Sequence, residues 1–388
     1  MGLVAPISWR QWTIRSHKFA WPDPILMVVI SVIVIIGIVM VTSASYIIAM
    51  GKYGDGFHYT KKQAITIIVG MILMYVCSIM RPEAWRRLAS ILMIVAVSLL
   101  LLLFIPGFGV EFGGSRRWLQ MPLGFYIQPS EIVKYALVIF LASSIAKKGD
   151  SIKELFTGFL PNVLVIGGVV CLVLAQPDFG TAVIITTVGF LMMFVSGFRL
   201  KHLIGSFILC TPFLAHFAVS APYRLSRLKI YLDPWGDPLN GGFQVIQSMV
   251  AFGCGGKWGV GIGKGIQKLF YLPQPHTDFI FAVMGEELGF VGIIILLILF
   301  YILIVRGLAI SMKTIDGFEK YLAFGITSLI GLQAMIHMAV SMGLLPTKGL
   351  PLPLVSLGGS SMIMNLMGLG ILMAIAKNNE SYQREVFQ

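Results

Sequence analysis

Charge is what this chain has least of. Asp, Glu, Lys and Arg make up 12% of its 388 residues, where a soluble domain carries about 25%. Hydrophobic residues account for 57%, and the mean hydropathy is +0.87. These values exclude a soluble domain with a single anchor and specify an integral membrane protein. Cysteine is also scarce. Cys77, Cys171, Cys210 and Cys254 lie far apart and form no CxxC pair, so neither a disulfide framework nor a thiolate metal cluster is indicated. No unit of about 20–50 residues repeats, and no pair of interrupted apolar segments recurs in corresponding halves, which counts against an inverted-repeat carrier. A cleavable leader is not expected, because Arg10, Arg15 and Lys18 precede an apolar run from Ile25 to Met50, longer than a signal-peptide core. The net charge of +12 does not call for nucleic acid. In a membrane protein, basic residues set topology and meet lipid headgroups.

What the chain does have is a succession of apolar stretches long enough to cross a bilayer. They run near Ile25–Met50, Ala64–Met80, Leu88–Ile105, Ile132–Ala146, Val163–Ala175, Thr181–Phe198, Leu203–Ala221, Phe279–Val305, Tyr321–Met342 and Ser361–Ala376. The expected fold is an all-α integral membrane protein of about ten transmembrane helices, a single polytopic domain over residues 1–388. With the N-terminus placed in the cytoplasm, the cytoplasmic flanks hold 16 Lys and Arg and the short loops opposite hold 6. The positive-inside rule then puts both termini, residues 1–24 and 378–388, in the cytoplasm. Residues Ser8 to Trp21 mix basic and indole groups, as a headgroup-level segment does. The one long connection, residues 222–277 between the seventh and eighth helices, is extracytoplasmic. Arg224, Arg227, Lys229, Lys257, Lys264 and Lys268 there outnumber Asp233 and Asp237, on the side where excess positive charge is not expected, so an anionic ligand is indicated.

Three carboxylates gather where that connection ends. Pro273 and Pro275 stop regular structure, His276 and Thr277 follow, and Asp278 opens a helix expected to stay apolar to Val305, with Glu286 and Glu287 two turns inside it. Eight residues of helix put about 12 Å between Asp278 and Glu286, so the two form no close acid–base dyad, and Asp278 reads as a base working alone. Its bland reading is a carboxylate favoured by a helix start capped by Thr277. Upstream, Arg116 and Arg117 offer planar forks suited to phosphate, beside Trp118 for a sugar face or the interface. Glu131 and Lys134 open a span three residues apart, as a functional buried charge pair or a structural one. Asp178 and Thr181 read as a helix cap. The segment Gly253–Lys268 is glycine-rich and basic, not a Walker A loop because Gly265 follows Gly263–Lys264, and its amides could line a phosphate wall. Gly358 to Ser361 place a helix start at the mouth of the last span, suited to an anion or to capping by Ser360 or Ser361. Gln333 and His337, one turn apart, read as interhelical glue.

Five segments in order resemble the SEDS family (shape, elongation, division and sporulation) of peptidoglycan glycosyltransferases: RRW at Arg116–Trp118, QPSE at Gln128–Glu131, QPDFGT at Gln176–Thr181, YLPQPHTDFIFAVMGEELG at Tyr271–Gly289 and LPTKGLPLPLVSLGGSS at Leu345–Ser361. The resemblance spans Trp21 to Lys377 and implies ten spans, an extracytoplasmic site on the bacterial cytoplasmic membrane, and polymerisation of lipid II, an undecaprenyl-pyrophosphate-linked disaccharide peptide. It implies that Asp278 is the catalytic base. Candidate substrate contacts are Arg116, Arg117, Trp118, Glu131, Lys134, Lys257, Lys268, His276, Lys348, Ser360 and Ser361, supported by Glu286 and Glu287. Mg²⁺ or Mn²⁺ would assist at the pyrophosphate, with no nucleotide or organic cofactor. A class B penicillin-binding protein transpeptidase and other divisome proteins are the implied partners. Pro346–Gly349 is similar to the division branch more than the elongation branch, while Leu357 and Gln274–Pro275 depart from the division pattern. The alternatives are an elongation-type polymerase, a lipid II flippase and a scaffold that recruits the transpeptidase. A flippase needs a polar path across the bilayer, whereas the charged groups here gather at one face.

Overall fold

The computed structural model describes residues 23–112, 115–120, 126–219, 222–269, 271–347 and 349–386. Asp23 fixes the first helix, its carboxylate accepting from the N–H groups of Ile25 and Leu26, with Pro24 in the first turn where a missing donor costs nothing. From there α1 runs from Pro24 to Tyr53 and ends on Gly54 in the left-handed region. The chain continues through α2 (His58–Ile79), α3 (Pro82–Leu102), α4 (Pro129–Lys148), α5 (Leu160–Ala175, after a π-helical turn at Leu155–Phe159), α6 (Phe179–Val195) and α7 (Leu200–Val219). It then forms α8 (Pro222–Leu232), α9 (Phe243–Gly255), α10 (Ile280–Lys313), α11 (Gly317–Ser341) and α12 (Gly359–Val386). Among the described residues eight helices are long and apolar enough to cross a membrane: α1 to α4, α5 with its π-helical turn, and α10 to α12. The 17-residue α6 and the 20-residue α7, which has Pro212 inside it, cover the sixth and seventh expected stretches. α4, α11 and α12 bury most of their surface and form the interior, while α3 and much of α10 face outward.

A short sheet accompanies the helices. A three-stranded antiparallel sheet, β1 (Gly109–Phe112), β2 (Ser115–Gln120) and β3 (Tyr126–Ile127), lies between α3 and α4 in the order β1-β2-β3. The long connection is also not irregular throughout, since α8, α9 and a 3-10 turn at Pro234–Gly236 lie within it.

The bundle has two distinct ends. At one, Arg306 pairs with Asp23 (3.5 Å), Arg86 with Asp316 (3.8 Å), and Asn378 donates to Glu319 (2.8 Å). The turn after α1, the sheet, α8, α9 and the start of α10 occupy the other end.

α10 begins at Ile280, two residues later than expected. A helix opening at Asp278 would turn the carbonyls of His276 and Thr277 toward the N–H groups one turn on. Instead His276 O accepts from Leu357 N–H (3.0 Å) and Thr277 O from the Ser356 hydroxyl (2.8 Å). α10 is also broken at Gly289, where φ is 65° and ψ −167°. The glycine-rich segment fills the break. Val260 and Gly261 donate to the carbonyls of Glu286 and Glu287 (3.0 and 3.1 Å), and Phe290 and Val291 donate to those of Gly256 and Lys257 (2.9 and 3.1 Å). These four bonds restore the partners that the kink removes, the condition for an irregular backbone within a membrane helix. They require close approach: a Cβ on Gly289 would stand 2.2 Å from Gly259 N.

Candidate active site

The segment between α11 and α12 enters the bundle rather than skirting it. Pro346, Pro351 and Pro353 keep it from forming a helix, yet Leu350, Leu352, Leu354 and Val355 are fully buried. Its backbone lies against the middle of α1, where a Cβ on Gly37 would stand 2.8 Å from Leu354 O and 2.9 Å from Val355 Cα. Carbonyls at such a depth need donors, and polar side chains of the helices supply them. Gln333 Nε2 donates to Pro351 O (3.0 Å), His337 Nδ1 to Leu350 O (2.6 Å), and Gln63 Nε2 reaches Val355 O and Ser356 O (3.4 Å each). The Ser356 hydroxyl accepts from Leu352 N–H (2.8 Å) while donating to Thr277 O. Gln333 and His337 therefore hold a re-entrant loop, a different role from glue between two helices.

That loop and residues 276–279 pin one another, and Asp278 sits half-buried at their junction. Gly349 borders the carboxylate, for a Cβ there would stand 3.4 Å from Oδ2. Burial pushes the Asp278 pKa up to about 6, and the positive charges of Arg227 and Arg117 restrain that rise. Both guanidinium groups are anchored by backbone carbonyls. Arg227, on α8, donates to Thr347 O (3.1 Å). Arg117, on β2, donates from Nε to Gln176 O (3.1 Å) and from Nη2 to Pro177 O. The turn holding those carbonyls is fixed by Asp178, which caps α6 through Thr181 N–H (3.2 Å) and accepts from the Thr181 hydroxyl (2.9 Å). His276 is buried, its ring stacked on Tyr59 at 4.7 Å between centroids, and burial lowers its pKa to about 4, so it is neutral at physiological pH.

The other sequence candidates divide by location. Lys134 and Glu131 are buried as a 2.9 Å pair, and Lys134 also donates to Gln333 Oε1 (2.7 Å), which ties the pair to the re-entrant loop. Ser360 accepts from Gln128 N–H (2.9 Å), and Ser361 Oγ accepts from Asn365 (3.1 Å) and Gln333 (3.4 Å). Arg116 reaches Glu111 (3.5 Å) beside a cavity of about 290 Å³ lined in part by Phe104, Gln176 and Pro177. Trp118 is half-buried in β2, opposite Val110. Lys257 is exposed, and Lys348 lies outside the described residues. Lys268 is buried against Glu287 (2.6 Å) and Ser43 (2.8 Å). Glu287 also accepts from Ser43 and Gly263 N–H (3.0 Å), while Glu286 accepts from Ile266 and Gln267 N–H. The glycine-rich amides expected to line a phosphate wall thus meet two carboxylates of their own chain. Arg227 is the site residue that sequence reasoning passed over. Its only signal was membership of the unexpectedly basic connection. Among the described residues no three His, Cys, Asp or Glu side chains converge to hold a metal ion.

A family model described as cell cycle protein matches residues 24–381. A protein described as probable peptidoglycan glycosyltransferase FtsW, from Trichlorobacter lovleyi, is 44% identical over 362 residues, 93% of this chain and 95% of its own. Stage V sporulation protein E of Bacillus subtilis is 39% identical over 362 residues, 93% of this chain and 99% of its own. Among solved structures, a chain from a study of the structural coordination of polymerization and crosslinking by a peptidoglycan synthase complex aligns with TM-score 0.76 and 31% identity, over 93% of this chain and 99% of that one. Rod shape determining protein RodA of Thermus thermophilus aligns with TM-score 0.69 and 26% identity, over 93% and 98%.

Proposed function

The chain belongs to the cell cycle protein family of FtsW, RodA and SpoVE, and on that premise we propose that it polymerises lipid II with Asp278 as the general base. It is a peptidoglycan glycosyltransferase of the division-associated kind. The observation that carries the role of Asp278 is its setting: a half-buried carboxylate at one end of an apolar bundle, flanked by the charges of two anchored arginines. A pKa of about 6 leaves it ionised near neutral pH and still basic enough to take a proton in the transition state.

In the proposed step the acceptor sugar's 4-hydroxyl gives its proton to Asp278. Its oxygen bonds to the anomeric carbon of the donor, the bond from that carbon to the pyrophosphate oxygen breaks, and configuration inverts. The leaving group departs with the electron pair as an anion, and Arg117 and Arg227 would stabilise it: Arg227 has N–H groups beyond the one on Thr347 O, and Arg117 keeps Nη1, which also lies 4.0 Å from the Asp178 carboxylate. Among the described residues Asp278 is the carboxylate at this junction that could meet a Mg²⁺ or Mn²⁺ ion, which would supply Lewis-acid assistance to the pyrophosphate. The lysine and arginine balance supports an extracytoplasmic site on the cytoplasmic membrane. A complex that couples polymerization to crosslinking among the structural neighbours supports a penicillin-binding protein partner in septal synthesis.

The test is polymerisation of purified lipid II by the full-length protein with its transpeptidase partner, read as glycan strands on a gel. Asp278→Ala is expected to lose at least about 100-fold in rate, the scale of general-base catalysis. A folded Asp278→Ala protein that makes glycan at the normal rate removes the general base.

A further inference from the structure

The break in α10 fixes the height of the glycine-rich segment relative to the bilayer. From Phe290 to Lys313 the helix has 24 residues, about 36 Å at 1.5 Å each, which spans a hydrocarbon core of about 30 Å and reaches the headgroups at its far end. Phe290 begins a stripe of exposed apolar side chains that continues through Ile295, Ile298 and Tyr301. Gly256 and Lys257 are bonded directly to Phe290 and Val291, so the segment stands where the hydrocarbon meets the headgroups. Its outward side chains are unusual for a water-facing loop: Trp258 is 80% exposed, Ile266 60% and Ile262 57%. Lys257 and Lys264 are exposed beside them, and neither meets a carboxylate among the described residues. From Pro238 to Thr277 the sequence contains no Asp or Glu.

We propose that residues 257–266 form an interfacial anchor that binds anionic phospholipid in the leaflet on the Asp278 side, with Trp258, Ile262 and Ile266 inserted at headgroup depth and Lys257 and Lys264 on the lipid phosphates. Indole and aliphatic groups flanked by lysine suit that depth, and each lysine near the surface favours an anionic lipid by about fivefold. Phe290, the first residue of the exposed stripe, and Val291 beside it are bonded to the backbone where the patch begins. This anchor does not depend on the reaction proposed above.

The test uses the full-length protein with its four cysteines replaced and Ile262→Cys carrying an NBD label, in nanodiscs of phosphatidylcholine and phosphatidylglycerol. Ile295→Cys, on the lipid-facing stripe of α10, reports that the protein is folded in the disc. The label at position 262 is expected to be quenched by shallow nitroxide lipids and not by aqueous iodide. Nitroxide phosphatidylglycerol should outcompete nitroxide phosphatidylcholine there, and Lys257→Gln or Lys264→Gln should each reduce that preference about fivefold. Iodide quenching without lipid quenching overturns the anchor, because the segment then lies in water. Shielding from both quenchers overturns it in favour of a covering protein. A lipid preference unchanged by both substitutions overturns the headgroup contact.

Discussion

Replacing Lys268 by methionine keeps much of the side chain's length and removes its charge. Its ammonium lies 2.6 Å from Glu287 and 2.8 Å from Ser43, and the two charged side chains are 4% and 0% exposed. In Lys268→Met the Glu287 carboxylate keeps Ser43 and the Gly263 N–H but loses its counter-charge. Leaving one buried ion without its partner costs about 3–5 kcal/mol, against a total stability of about 5–15 kcal/mol for an ordinary domain. Replacing both members, Lys268→Met with Glu287→Leu, removes the stranded charge, although Gly263 then loses its acceptor. The double variant is therefore expected to unfold later than the single one. The assay is unfolding of the full-length protein in detergent, followed by tryptophan fluorescence, with lipid II polymerisation measured at a temperature where every variant is folded. The reasoning fails if Lys268→Met unfolds like the parent while its KM for lipid II rises. That result would mean that the ammonium serves the substrate pyrophosphate and not the loop.

Other outcomes follow from the same contacts. Polymerisation is expected to decline as pH falls through about 6, because protonated Asp278 cannot accept a proton. Arg227→Gln removes a charge that holds that pKa down, so the acid limb of the pH–rate profile should move to higher pH, and a downward move would refute the assignment. Gln333→Leu leaves Pro351 O without its donor and Lys134 without one acceptor, which should cost about 1–3 kcal/mol in unfolding measurements and lower kcat through a displaced loop. Gly37→Val drives a side chain into the backbone of Leu354 and Val355, for a loss of about 1–3 kcal/mol. Gly51→Ala, in open space on the same helix, should be neutral or stabilise by up to about 1 kcal/mol.

Apolar runs announce helices well because a span must satisfy its own backbone, and each expected stretch coincides with a helix. Less legible was anything that depends on a partner distant in sequence. The apolar pattern continues through Gly289 without interruption, so the kink in α10 could be found only with the segment that fills it. Asp278 was visible as a carboxylate beside two prolines, but its arginine neighbours come from β2 and α8. Arg117 stood out through its motif, whereas Arg227 was one basic residue among several. Gln333 and His337 read from sequence as glue between helices, and Gln63 carried no signal of its own. Their reason is a loop whose backbone would otherwise lie unbonded inside the bundle. Glu286 and Glu287 belonged to the same cluster in sequence as Asp278, yet their oxygens are occupied by Lys268, Ser43 and backbone amides.

The re-entrant loop also bears on the order in which the protein is made. Its donors lie on α2 and α11, its floor is α1, and its far end is fixed by the start of α12. α12 in turn packs along α2, one of the first helices to leave the ribosome. A nascent chain halted after α11 would already lie in the bilayer but would lack the wall against which residues 349–358 settle. Asp278 would then have no Gly349 beside it, and Thr277 no Ser356. The surroundings of Asp278 are therefore among the last parts of the molecule to form, and an incompletely translated copy is expected to be inert rather than partly active.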